Sequence, residues 1–139
     1  MVVARVHAAI ARGENLVLET TLSGRFPMKT LRDARLAGYD VTLIYVGLDD
    51  VDQCLRRVRL RARLGGHDVP EIDVRRRFLR SIEALPYAIR LADHVVLYEN
   101  SDERPYRLVA RSDSMHRVVS NPVPLWARSS VIVLTERFS

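Results

Sequence analysis

An α/β fold built on a parallel sheet is the class this sequence predicts, on three observations. Apolar runs occur at Leu16-Val17-Leu18, at residues 41–46, broken only by Thr42, and at residues 95–98, the pattern of buried strands. Segments with helical spacing separate them. Glycines at Gly13, Gly38 and Gly65 fall where those helical segments should stop. Strand, helix, strand, two helices and strand in that order describe parallel pairing with right-handed crossovers.

In order along the chain, residues 2–12 form a short helix with Val2, Val6, Ala9 and Ile10 on one face, closed by Gly13. Leu16-Val17-Leu18 is the first strand and runs into Glu19, Thr20 and Thr21. Pro27 opens a helix of about ten residues, with Met28, Leu31 and Ala34 inward and Gly38 at its end. Residues 41–46 are the second strand. Asp49 or Asp50 caps a helix reaching about Leu64. Pro70, followed by Glu71 and Asp73, starts another helix that turns Val74, Phe78, Ile82 and Leu85 inward until Pro86 kinks or ends it. Residues 95–98 are the third strand and 106–110 a fourth. Beyond the loop at Asn121-Pro122-Val123-Pro124, residues 131–134 read as strand or helix.

The 139 residues suit one domain, with residues 111–139 an irregular C-terminal extension. No apolar run is long enough for a membrane span, no targeting segment is expected, and the single cysteine, Cys54, permits no internal disulfide. The cytoplasm is the expected location, with no membrane partner. His7, His94 and His116 stand at no metal-ligand spacing, so no metal site is expected.

Of 22 basic residues only Lys29 is lysine, and the net charge is +5. Guanidinium offers a planar fork that matches two phosphate oxygens, so arginine abundance suits oxyanion recognition. A GC-rich coding sequence also raises arginine at the expense of lysine, which leaves the clustering as the informative feature. Between residues 51 and 64, Val51, Leu55, Val58 and Ala62 form the buried stripe. Arg57 and Arg61 flank it on one side, and Arg56, Arg59 and Arg63 on the other. No acid lies between Gln53 and His67, so the like charges repel and a phosphate ligand would relieve them. Arg75, Arg76, Arg77 and Arg80 follow on the next helix, and the Gly65-Gly66 turn between the two suggests a lid.

Ligands of parallel α/β sheets bind beyond the carboxyl ends of the strands. Two polar clusters belong there, Glu19-Thr20-Thr21 with Ser23, and Glu99-Asn100-Ser101. Threonines after a strand also cap turns, and Asn-Ser pairs are common in loops, so each cluster has a purely structural reading. Few aromatic residues interleave with the arginines, which disfavours nucleic acid as a partner.

The stretch from Glu19 to Arg25, Arg57-Val58 and Arg61 leading into Gly65-Gly66-His67-Asp68-Val69-Pro70, and Arg75-Arg76-Arg77-Phe78 with Arg80-Ser81 resemble the short zeta-toxin-like P-loop kinases. The resemblance extends from about Ala8 to Ala110. It implies a parallel, three-layer P-loop kinase-like sheet and ATP-dependent phosphotransfer, with magnesium, to a small polar acceptor such as UDP-N-acetylglucosamine. It also implies substrate contacts from Glu19, Thr20, Thr21 and Ser23. Arg57, Arg61, Arg75, Arg76 and Arg77 would contact ATP, with Arg61 and Arg76 in the catalytic role of neutralising its phosphates. Glu99 stands where family members often have aspartate.

The family places a phosphate-binding loop with its lysine, a helix and an aspartate general base ahead of the matched residues. These residues contain no G-x-x-x-x-G-K-S/T sequence. The expectation is therefore an N-terminally truncated kinase domain that lacks the first strand and its helix, binds neither ATP nor magnesium productively, and is inactive alone. Without that strand, the strands at Leu16 and Val41 must pair directly, leave a gap or borrow a strand. The alternative expectation is a non-catalytic arginine-lid module that binds nucleotide or an acidic protein such as an antitoxin.

Overall fold

The computed structural model describes residues 1–137, which form a mixed α/β fold. Its elements are α1 (Val2–Ala11), α2 (Arg25–Leu36), β1 (Thr42–Gly47), α3 (Val51–Arg63), α4 (Glu71–Leu91), β2 (His94–Glu99), β3 (Arg107–Ser112), β4 (Arg117–Val119), a 3-10 turn (Leu125–Ala127) and α5 (Arg128–Glu136). The four strands lie in the order β1-β2-β3-β4. Only β1 and β2 pair in parallel, joined by the α3–α4 crossover; β2–β3 and β3–β4 are antiparallel. The expected all-parallel sheet is thus corrected to a mostly antiparallel one. Short connections after Glu99 and Ser112 permit hairpin returns, whereas a parallel return needs a crossover of a dozen or more residues.

Leu16-Val17-Leu18 is not a strand. It belongs to no sheet, and Val17 is 99% exposed. Apolar sequence alone does not make a strand, because the ladder requires a neighbour whose edge is in reach. Of the outcomes expected for the strands at Leu16 and Val41, direct pairing does not occur, and among the described residues β1 pairs only with β2, which leaves it one free edge.

Three helices cover one face of the sheet. Leu85, Ala88 and Ile89 of α4 pack with Val95, Leu97, Val109 and Ala110 of the sheet and with Leu134 of α5, all fully buried, while Met28, Leu31 and Ala34 of α2 pack at the margin. The third layer expected over the opposite face is absent among the described residues, where Ile44 and Val46 stay 63% and 48% exposed. Tyr39 fastens α1 to α2, its hydroxyl donating to the Glu14 carbonyl at 2.8 Å.

α4 continues through Pro86 to Leu91 rather than ending there. Proline inside a helix costs about 3 kcal/mol. Complete burial of Leu85 and Ile89 on either side offsets it, at about 1.5–3 kcal/mol each.

The segment expected to be an irregular extension instead supplies core. Trp126, Ala127, Val133 and Leu134 are buried, and residues 131–134 are helical. Asp49 fixes this segment by accepting hydrogen bonds from the backbone N–H groups of Leu125 at 3.0 Å and Trp126 at 2.7 Å. Asp50 is the residue that caps α3, accepting from Asp52 N–H at 2.8 Å. The Trp126 and Tyr45 rings lie 5.3 Å apart, and a Cβ on Gly47 would meet the indole at 2.8 Å, so glycine is required for this approach.

Asp113 closes the β3–β4 turn, and its carboxyl is held below the ordinary aspartate range chiefly by the Met115 and His116 backbone N–H groups. A carboxyl lowered in the folded state stabilises fully above its unfolded pKa, near 3.9, and loses that contribution as pH falls through the lowered value. Amide exchange should therefore show Met115 and His116 protected at pH 6 and opening selectively below about pH 4. Unchanged protection there would contradict this role for Asp113.

Candidate functional site

A cleft of about 310 Å3 lies between the carboxyl end of β1 and the helices α3 and α4. Its floor is apolar, from Val46, Gly47, Leu48, Val58, Val69, Val74, Phe78 and Ile82. Its polar lining is Thr21, Tyr45, Cys54, Arg57, Arg61, Arg77 and Ser81. Helical spacing brings Arg57 and Arg61 to the same side of α3, one turn apart, and Arg77 and Ser81 likewise on α4. The Tyr45 and Ser81 hydroxyls are 2.8 Å apart; burial pushes the phenol pKa up, and the bond to Ser81 offsets part of that rise. Burial also pushes the Cys54 thiol up, away from the reactive thiolate.

The arginines divide into two groups. Arg57 donates to Asp102 at 2.8 Å, and Arg56 lies 3.7 Å from the same carboxylate, whose pKa falls mainly through the Arg57 hydrogen bond. Arg59 pairs with Glu71 at 3.0 Å, Arg75 with Glu71 at 2.8 Å and Asp52 at 3.2 Å, and Arg76 with Asp73 at 2.6 Å. The α3 arginines expected to lack counterions therefore find several, on α4 and on the loop after β2. Arg61, Arg63, Arg77 and Arg80 have no carboxylate partner among the described residues. Of these four, Arg61 and Arg77 line the cleft.

Of the residues expected to contact ATP, Arg57, Arg61 and Arg77 thus share the cleft, whereas Arg75 and Arg76 do not line it. Of the expected catalytic pair, Arg61 is at the cleft and Arg76 is not. Of the expected substrate residues, Thr21 lines it and its hydroxyl lies 2.7 Å from that of Ser23. The Thr20 hydroxyl accepts from Leu22 N–H at 3.1 Å, which supports the positive φ of 58° at buried Leu22, and Glu19 is exposed outside the lining.

The second polar cluster closes a turn. The Ser101 hydroxyl accepts from Arg104 N–H at 3.0 Å, and Arg107 donates to Glu99 at 2.9 Å in a largely buried pair. Neither Glu99, Asn100 nor Ser101 lines the cleft. By sequence Tyr45 and Phe78 are no more than apolar strand and helix positions; their place in the cleft depends on which elements meet there.

The Gly65-Gly66 turn has a local cause. Gly65 takes φ +95°, and Gly66 N–H donates to the Arg61 carbonyl at 2.8 Å, where an added Cβ would stand 2.9 Å from that oxygen. The two glycines end α3 and return the chain toward α4. His67, within the same turn, is exposed. Lys29 pairs with Asp33 on α2, outside the cleft. No cluster of three metal-ligating side chains occurs among the described residues, and no helix there is long and apolar enough to cross a membrane.

No protein-family model matches the chain, and no solved structure matches it. An uncharacterized protein of Haemophilus influenzae (strain ATCC 51907 / DSM 11121 / KW20 / Rd) is 33% identical to it over 72 residues, 52% of this chain and 51% of that protein. The chain thus spans about half the length of the curated relative it matches.

Proposed function

We propose that the cleft binds a nucleotide or another phosphorylated small molecule, in a chain related to the zeta-toxin-like P-loop kinases. The observation that carries this reading is the pair of guanidinium groups, Arg61 and Arg77, that line an apolar-floored cleft without a carboxylate partner among the described residues. Such a site offers charge-assisted hydrogen bonds to phosphate and apolar surface to a base or sugar face. The parallel β1–β2 pair with its helical crossover, and a cleft at the end of β1, fit the P-loop kinase-like reading of the fold.

These residues contain no loop to cradle a β- and γ-phosphate, so the chain binds its ligand without transferring phosphate. A segment supplying that loop and an aspartate base would be needed for the kinase reaction with ATP and magnesium. A second reading, an acidic protein partner such as an antitoxin, draws support from the free edge of β1.

Calorimetric titration with ATP and with UDP-N-acetylglucosamine tests the first reading. Arg61→Gln and Arg77→Gln should each weaken binding about tenfold or more, since a charge-assisted hydrogen bond contributes about 1.5–3 kcal/mol. Arg75→Gln and Arg76→Gln, whose side chains are engaged with Glu71, Asp52 and Asp73, should leave affinity unchanged. Absence of binding at millimolar ligand, or equal losses in all four variants, would overturn it.

A further inference from the structure

β1 ends the sheet, and its backbone shows which groups are left over. The Val41 carbonyl accepts from His94 N–H at 3.0 Å, and the Gly47 carbonyl accepts from Asn100 N–H at 2.9 Å. Both therefore point toward β2. Backbone direction alternates along a strand, so Leu43 and Tyr45 also face β2, while Thr42, Ile44 and Val46 turn their N–H and C=O groups to the free edge. β1 pairs with no strand other than β2 among the described residues.

Sheet edges are ordinarily blunted by charge, proline, a bulge or a covering element. Residues 41–48 contain no charged residue and no proline. Among the described residues the sheet's register irregularity lies in the β2–β3 pairing, between Leu97 and Tyr98, and not on the free edge of β1. The Ile44 and Val46 side chains remain open to solvent. Three unpaired donors and three unpaired acceptors thus stand beside an uncovered apolar surface.

Charge selects the occupant. Val46 and Gly47, at the end of the strand, share the cleft with Arg61 and Arg77. A second copy of this chain would bring another net charge of +5, and its own residues 41–48 would offer no acid to these arginines. We infer that the free edge of β1 takes an extended segment of an acidic partner protein, whose carboxylates meet Arg61 and Arg77. This develops the second reading given above and uses the same two arginines. Backbone hydrogen bonds provide the affinity of strand addition, and alternate side chains provide the selectivity.

The probe is a fluorescein-labelled nine-residue peptide alternating valine with glutamate, tested against the whole chain by fluorescence anisotropy and by amide exchange. It should bind saturably and protect the amides of Thr42, Ile44 and Val46. Those of Leu43 and Tyr45, already in the ladder, should change little. Ile44→Pro removes only an outward-facing N–H and should weaken binding at least tenfold; Arg61→Gln and Arg77→Gln should each weaken it severalfold and flatten its salt dependence. Binding without protection of the three wild-type amides would overturn the inference even if the proline variant failed to fold. Equal binding of a valine–lysine peptide would overturn it as well, as would concentration-dependent dimerisation that occludes β1 without peptide binding. Retained ATP affinity with no peptide binding would reject this inference alone, and the reverse would reject only the nucleotide reading.

Discussion

Trp126→Ala is expected to lower the free energy of unfolding by about 3 kcal/mol, the lower end of the range for removing a buried aromatic side chain. The indole is buried among Tyr45, Gly47 and the core formed by α4 and α5, and the surrounding backbone is tied by Asp49, so collapse into the vacated space is limited. The value falls at the lower end because Trp126 Nε1 is buried without a hydrogen-bond partner among the described residues, and its removal relieves that cost. Domains of this kind have only about 5–15 kcal/mol to lose. Trp126 is the single tryptophan, so denaturant unfolding is best followed by circular dichroism. A change below about 1 kcal/mol, the size of an ordinary point mutation, would mean that the C-terminal segment is not part of the cooperative core.

Arg107→Met is expected to cost about 2–3 kcal/mol. Removing one member of a fully buried ion pair costs about 3–5 kcal/mol because the remaining charge stays desolvated. Here the Arg107 and Glu99 side chains keep 21% and 11% of their exposure, which lets water screen part of that penalty. Arg107 also donates to the Pro122 carbonyl at 2.8 Å, so its loss loosens the approach to α5. Adding Glu99→Leu should recover most of the deficit, since a well-packed apolar pair replaces a buried ion pair with little loss. A double-mutant cycle measures this coupling; strictly additive effects would show that the pair contributes nothing specific. The experiment also bears on function, because a structural role for Glu99 removes it from the residues available to a ligand.

The cleft combines residues of unequal legibility. Arg57, Arg61, Arg77 and Thr21 could be singled out from the sequence, since clustered guanidinium groups and short hydroxyls after an apolar run are local patterns. Counterions could not be assigned that way. Asp102 reaches Arg57 across 45 positions, and Asp52 reaches Arg75 across 23, so the charge left over on Arg61 and Arg77 is a property of the folded chain. Tyr45 and Phe78 were legible as apolar positions, yet only the meeting of β1 with α4 makes them a floor.

Placement of the first four helices was determined largely by the sequence itself: glycine stops, an aspartate cap at 49 or 50 and the 3.6-residue spacing of apolar side chains act within a few residues of one another. So were the presence of both helices and strands and the concentration of arginine on α3 and α4, though not the mostly antiparallel pairing of the sheet. Strand pairing was decided by tertiary structure, because a ladder joins residues far apart and an apolar run without a neighbour, as at Leu16-Val17-Leu18, joins no sheet. The same cause admitted Trp126 and Leu134 to the core, carried α4 through Pro86, and left β1 with an open edge. Burial and pairing are energies shared between distant segments, and no local pattern records which segment will arrive.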